Sequence, residues 1–266
     1  MKVWAIANQK GGVGKTTSVV GLGGLLASQG QRVLLVDMDP HGSLTSYFQY
    51  NPDAIEQSVY QLFQHKGDVP SWLPAQLVIQ TKFNNLSFLA ASTSLAILER
   101  QAQSQGGMGL VLTKTLSNLK HDFDYVLIDT PPVLGVLLIN AMAACQQVLL
   151  PVQTEHLAIK GLERMMRTLK MVMKSQKRDL PYTVIPTMFD RRTHASVDSL
   201  RILRNSYEGH IWPSAIAIDT RFRDASKAGV PPNVYAPGSR GVKSYMSLLK
   251  YLLGHEPILE ASRAVP

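Results

Sequence analysis

The stretch Gln9-Lys10-Gly11-Gly12-Val13-Gly14-Lys15-Thr16-Thr17 constrains this chain more than any other. Before it, Val3-Trp4-Ala5-Ile6-Ala7 is a short apolar run of strand type, and residues 18–28 after it carry the apolar content of a buried helix. Glycines between a strand and a helix let backbone N–H groups approach phosphate oxygens with no Cβ in the way. The helix then presents its positive N-terminus to the same anion. Lys15 is placed to reach the β- and γ-phosphates, and Thr16 offers a hydroxyl to Mg²⁺, which prefers hard oxygen ligands. This context favours a nucleotide-binding loop built from Lys10, Gly11, Gly12, Val13, Gly14, Lys15, Thr16 and Thr17 over a plain glycine-rich turn.

Two further segments supply carboxylates. Arg32-Val33-Leu34-Leu35-Val36-Asp37-Met38-Asp39 reads as a buried strand ending in two acids, where ligands of open α/β sheets collect. Asp122-Phe123-Asp124-Tyr125-Val126-Leu127-Ile128-Asp129 reads as a Walker B strand, and Asp129 as the carboxylate that holds Mg²⁺ directly or through water. In isolation, each acid could instead close its strand through turn hydrogen bonds.

These segments predict an α/β fold, a doubly wound and mostly parallel sheet with helices on both faces. No Pro/Gly/Ser-rich linker or internal repeat divides the 266 residues, so residues 1–253 are expected to form one domain and 254–266 a loosely ordered tail. Short helical pieces are expected over 47–74, a strand at 88–91, a helix over 94–103, a flexible joint at Gly106-Gly107-Met108-Gly109 before another helix, and a core-packing helix over 242–253. The single Cys145 excludes a disulfide framework, and no uncharged apolar run reaches membrane-spanning length. The expectation is a cytoplasmic protein, with membrane attachment disfavoured. A net charge of +8 favours an acidic partner such as DNA or an anionic surface, although a phosphate site accounts for part of it.

Gln9 stands where the general loop has glycine, and Lys10 adds a second lysine. With these features the loop resembles that of the ParA/MinD superfamily of dimerising ATPases, whose deviant pattern is K-G-G-x-G-K-T/S. Asp39-Pro40-His41-Gly42-Ser43 is similar to the family's D-P-Q-G-N, with His41 and Ser43 in place of Gln and Asn. Asp129-Thr130-Pro131-Pro132 followed by Gly135 resembles D-x-P-P-x-x-G, and the resemblance runs from Lys2 to about Leu253. It implies ATP and Mg²⁺ as cofactors and an ATP-sandwiched homodimer. Lys10 would touch the partner's phosphates, Lys15 would serve the chain's own, and Asp39 would position the attacking water, with Thr16, Asp39 and Asp129 as the metal-site residues.

The resemblance also places the adenine ring against Met188 and Phe189, which could equally be ordinary core. A guanine site would need N-K-x-D, and Gln176-Lys177-Arg178-Asp179 lacks the Asn. Glu155 could face the partner's nucleotide, or simply complement a helix N-terminus with Thr154 as cap. Arg201, Arg204, Arg221, Arg223, Arg240 and Lys243 are candidate contacts for non-specific DNA, or a solvated basic surface. Ile218-Asp219-Thr220-Arg221 departs from the family's Ile-Pro-Arg.

Within the short, Soj-like branch, the 37–43, 190–193 and 218–220 segments look most like ParC-type polar organisers of chemotaxis arrays. The expected function is slow Mg²⁺-dependent ATP hydrolysis that positions cargo, with a protein partner that stimulates turnover or links the cargo. Chemotaxis machinery at a cell pole is the first cargo considered, and a chromosome or plasmid on the nucleoid the second. An amide synthetase of the dethiobiotin or cobyrinate type shares the loop and is the reading from another class. An iron-protein reductase would need two cysteines per subunit and is excluded.

Overall fold

Runs such as Val33-Leu34-Leu35-Val36 have no polar alternation, so both faces of their sheet must be covered. The computed structural model, which describes residues 1–65, 67–101 and 108–255, shows this arrangement. Its strands are β1 (Lys2–Ile6), β2 (Val33–Asp37), β3 (Ile79–Gln80), β4 (Leu86–Leu89), β5 (Tyr125–Asp129), β6 (Gln147–Gln153) and β7 (Tyr182–Thr187). They form one sheet in the order β3-β4-β2-β5-β1-β6-β7. Every pairing is parallel except that of the two-residue edge strand β3 with β4. Side chains alternate across the sheet: Val3 and Ala5 enter one hydrophobic cluster, Trp4 and Ile6 the other.

The Lys15–Ser28 helix is buried over most of its length. Glycine makes that possible: Gly21 lies against the Tyr245 ring, and a Cβ at Gly24 would collide with Pro231 and Asn233. The Arg240–Gly254 helix packs there through Tyr245, Leu248, Leu249 and Leu252, in agreement with the core-packing helix read from the sequence. Three short helices, Ser43–Tyr47, Tyr60–Gln64 and Leu73–Leu77, occupy the stretch read as helical pieces.

Some boundaries differ from expectation. The strand placed at 88–91 is Leu86–Leu89, because its register is fixed by β2. The helix placed at 94–103 is observed over Leu95–Gln101; of the joint expected at 106–109, Gly106 and Gly107 lie outside the described residues, and Met108 and Gly109 belong to a short 3-10 helix, Met108–Leu110. The tail from 256 onward lies outside them too. Among the described residues no helix is long and apolar enough to cross a membrane.

Candidate nucleotide site

Strand register assembles the acidic half of the site. Ile6, Asp129 and Asp37 are aligned at the carboxyl ends of β1, β5 and β2. The loop that leaves β1 therefore emerges beside both Asp129 and the segment carrying Asp39, at the crevice where open sheets bind ligands.

Neighbouring strands fix the loop. Asn8 is buried; its Nδ2 donates to Pro151 O (2.8 Å) and its Oδ1 accepts from Lys10 N (2.9 Å), fastening the loop's start to β6. Thr187 Oγ1 at the end of β7 donates to Val13 O at 2.9 Å, and Ser18 Oγ donates to Gly14 O at 2.7 Å. Gly12 and Gly14 adopt φ of 74° and 92°, which L-residues rarely reach. Where Gly11, Gly12 and Gly14 would carry a Cβ there is open space, so the backbone forms an unobstructed cradle. Gly14 is the N-cap of the Lys15–Ser28 helix, whose first N–H groups open toward that cradle.

Lys15 is buried below the cradle. Burial lowers its pKa from the usual lysine value, opposed by the nearby charges of Asp129 and Asp39. Thr16 Oγ1 donates to Asp129 Oδ2 at 2.6 Å, while the other carboxylate oxygen, Oδ1, is buried with no hydrogen-bond partner among the described residues. Burial first, and the neighbouring Asp37 second, push the Asp129 pKa up. Asp37 is also pushed up by burial, although it accepts from Thr45 Oγ1 (2.7 Å), Thr45 N (2.8 Å) and Asp39 N (3.1 Å). An orphaned carboxylate oxygen beside a hydroxyl and a second reluctant acid is a donor set suited to a hard cation. The residues present thus fit Mg²⁺, which Thr16 and Asp129 would hold, with Asp39 close by.

Asp39 lies beyond β2. Its Oδ1 accepts from His41 N (3.0 Å) and meets His41 Nδ1 at 2.9 Å, so the exposed His41, which sequence reasoning left without a role, restrains this carboxylate. Lys10 lies at the rim, and its Nζ pairs with Glu155 of the same chain. Glu155 is the N-cap residue of the His156–Gln176 helix, but its carboxylate turns to Lys10. Thr154 is not the cap expected from its position: its hydroxyl is committed to Ser196 Oγ (2.6 Å) and Thr187 O (3.4 Å).

Met188 has a left-handed φ of 53° and is 37% exposed, so it is not core. Phe189 lines a cleft of about 1000 Å³ together with Asp190, Arg191, Arg192, Asp219, Arg221 and Arg240. Asp219 shapes this wall by accepting from Arg221 N (3.0 Å) and Gly241 N (2.9 Å), which ties the departing 218–221 segment to the first turn of the Arg240–Gly254 helix. The six basic candidates divide. Arg221 and Arg240 line the cleft; Arg223 and Lys243 are exposed on the helices that follow it. Arg201 and Arg204 belong to the His194–Ser206 helix, where Arg201 pairs with Asp198 at 3.4 Å.

A mostly parallel α/β sheet with a glycine cradle after an interior strand, a buried lysine and a threonine–aspartate pair defines a P-loop nucleotide-binding protein. Residues 1–182 match the AAA domain family. The sporulation initiation inhibitor protein Soj of Bacillus subtilis is 36% identical over 250 residues, covering 94% of this chain and 97% of that protein. The chromosome partitioning protein ParA of Caulobacter vibrioides is 32% identical over 267 residues, 99% of this chain and 98% of its own. A solved structure from Mycobacterium smegmatis, described as cobyrinic acid a,c-diamide synthase with bound ADP and magnesium, matches with a TM-score of 0.81 at 35% identity. That match covers 96% of this chain and 95% of the other. The chain belongs to the Soj/ParA family of P-loop ATPases, within the ParA/MinD-type superfamily.

Proposed function

We propose that this protein is an ATP-fuelled positioning switch, which dimerises on Mg·ATP and separates after slow hydrolysis. Bound Mg²⁺ would neutralise charge on the β- and γ-phosphates. Lys15 and the Gly11 to Gly14 backbone hold those phosphates, Thr16 and Asp129 orient the ion, and Asp39, restrained by His41, aligns the attacking water. Met188 and Phe189 face the base, and Lys10 leaves Glu155 to reach the phosphates of a second copy. The observation that carries this reading is one loop with two lysines in opposite settings, Lys15 buried and Lys10 at the rim on an intrachain carboxylate. Exposed Val133, Leu134 and Leu157, from the segments that follow β5 and β6, give that rim an apolar border suited to a dimer face.

The cargo we assign is the chemotaxis machinery at a cell pole, on the resemblance of the 37–43, 190–193 and 218–220 segments. A second reading, partition of a chromosome or plasmid on non-specific DNA, is favoured by the names of the Soj and ParA relatives and by exposed Arg223, Arg240 and Lys243. Light scattering on the full chain tests the switch: its mass should double with Mg·ATP but not with ADP, and Asp39→Ala should stay dimeric on ATP. A wild-type chain and an Asp39→Ala variant that both remain monomeric would sink it. Fluorescent fusions separate the cargoes. Polar foci that vanish with the chemoreceptor clusters support the first, and chromosome or plasmid loss on deletion supports the second. Turnover that requires a carboxylate substrate would instead favour the synthase named for the M. smegmatis neighbour.

A further inference from the structure

The His156–Gln176 helix presents different chemistry on its two sides. Inward, Ile159, Leu162, Met165, Met166 and Leu169 enter the core. The same side backs the unusual half of the phosphate loop: Thr168 accepts from Gln9 Nε2 at 2.9 Å, Gly161 lies against the Lys10 side chain, and Glu155 pairs with Lys10. Outward, Lys160, Arg164, Arg167 and Lys174 recur at helical spacing, with Lys170 beside them, and all five are exposed. The helix carries a single acid, Glu163, which is 3.5 Å from Lys160. Among the described residues no carboxylate lies within ion-pair distance of Arg164, Arg167, Lys170 or Lys174. From Lys160 to Lys174 the stripe is about 21 Å long.

A groove runs beside this stripe. Its volume is about 510 Å³; Ile159, Met166, Tyr182 and Tyr207 contribute apolar and aromatic surface, and the charges of Arg167 and Lys170 outnumber that of Glu163, the one acid on its wall. Met171, 56% exposed, falls on the stripe itself. A nucleic-acid backbone would satisfy the cations and leave this apolar surface wet. An acidic segment with apolar residues at helical spacing would satisfy both.

We infer that the outer face of the His156–Gln176 helix is a docking surface for an acidic amphipathic segment of a partner protein. Apolar side chains of that segment enter the groove, and its carboxylates meet Arg164, Arg167, Lys170 and Lys174. The occupant sits on the side of the helix opposite Gln9 and Lys10, so its binding bears on the loop that handles phosphate. That consequence rests on the switch reading, whereas the docking geometry does not.

The test uses the full chain and a fluorescein-labelled amphipathic helical peptide of Glu, Ala and Leu, beside a scrambled peptide of the same composition and a random-sequence duplex DNA. The patterned peptide should bind about ten-fold tighter than the scramble, and Arg167→Glu combined with Lys170→Glu should abolish that preference. Basal ATP turnover of the double variant should equal that of the wild type, since neither residue touches the nucleotide site. Equal binding of the scramble, or undiminished binding by the double variant, overturns the docking surface. Duplex DNA that displaces the peptide and loses affinity in the double variant reassigns the stripe to nucleic acid. A wild type that binds the peptide but never turns over ATP counts against the switch and leaves the docking surface standing.

Discussion

Lys10 and Lys15 show how burial divides one residue type between two tasks. Lys15 is buried near the charges of two acids, and in the proposed switch it is already oriented for phosphate, whereas Lys10 would first give up Glu155. Lys15→Ala should weaken nucleotide binding by about a hundred-fold or more, since several charge-assisted hydrogen bonds vanish together. Lys10→Ala should change monomer affinity by no more than about two-fold while lowering dimerisation and turnover. Titration with a fluorescent ATP analogue, beside light scattering, separates the two, and equal losses of affinity in both variants would refute the division. A surface acid offers a pH test. Arg32, donating to Asp124 at 2.8 Å and 3.2 Å, holds the Asp124 pKa down to about 2, against an ordinary value of 3.8. Stability from a depressed carboxylate is present above the ordinary pKa and is lost as pH falls through the lowered one. The melting-temperature difference between wild type and Asp124→Asn should therefore be level above about pH 5 and vanish near pH 2, its size limited by solvent screening to about 1 kcal/mol or less.

At the scale of elements, Thr45 joins three of them. Its hydroxyl donates to Asp37 at the end of β2 and accepts from Ala91 N just past β4, and its own N–H, in the short Ser43–Tyr47 helix, also serves Asp37. Thr45→Val keeps the shape and leaves two buried polar groups short of a partner, so it should cost about 1 to 3 kcal/mol. The urea midpoint should fall with an unchanged slope; a changed slope would mean that the fold itself had loosened. Such joints mark where sequence reading ran out. The cradle, Asp39, Asp129 and the central strands were legible because each is written locally, as a glycine spacing or an apolar run ending in an acid. Thr187, which fastens Val13 from 174 residues away, carries no local mark, since any threonine ending a strand looks the same. The intrachain partner of Lys10 was hidden for the same reason. The edge strand β3 has two residues, too few for a period to show. The basic stripe of the His156–Gln176 helix was readable as charges, but which of them face solvent follows only from where the helix packs.

Across the whole molecule, the site is a local instability held by a rigid frame. Asp37 and Asp129 occupy aligned strand ends, both buried; burial makes each resist ionisation, and the charge of Asp37 adds to this at Asp129, as that of Asp39 does at Asp37. A carboxyl group whose pKa is raised on folding stabilises the fold fully below its ordinary pKa, and that contribution is lost as pH rises through the raised value. The nucleotide-free chain should accordingly lose stability from about pH 4 toward neutrality, apart from other titrating groups. Asp129→Asn retains an oxygen for the Thr16 hydroxyl and removes the reluctant charge, so the free chain should gain about 1 to 3 kcal/mol at neutral pH and its pH dependence should flatten. The cost should appear with ligand. Mg·ATP at a hundred times its Kd stabilises a binding-competent fold by about 2.7 kcal/mol, and the variant should show much less of this gain and lose the magnesium dependence of what remains. Melting scans at several pH values, with ATP in EDTA and with ATP and Mg²⁺, read both effects together. An Asp129→Asn chain that is less stable when free, or that keeps the full magnesium-dependent gain, would mean that this carboxylate holds the strands together and does not await the metal.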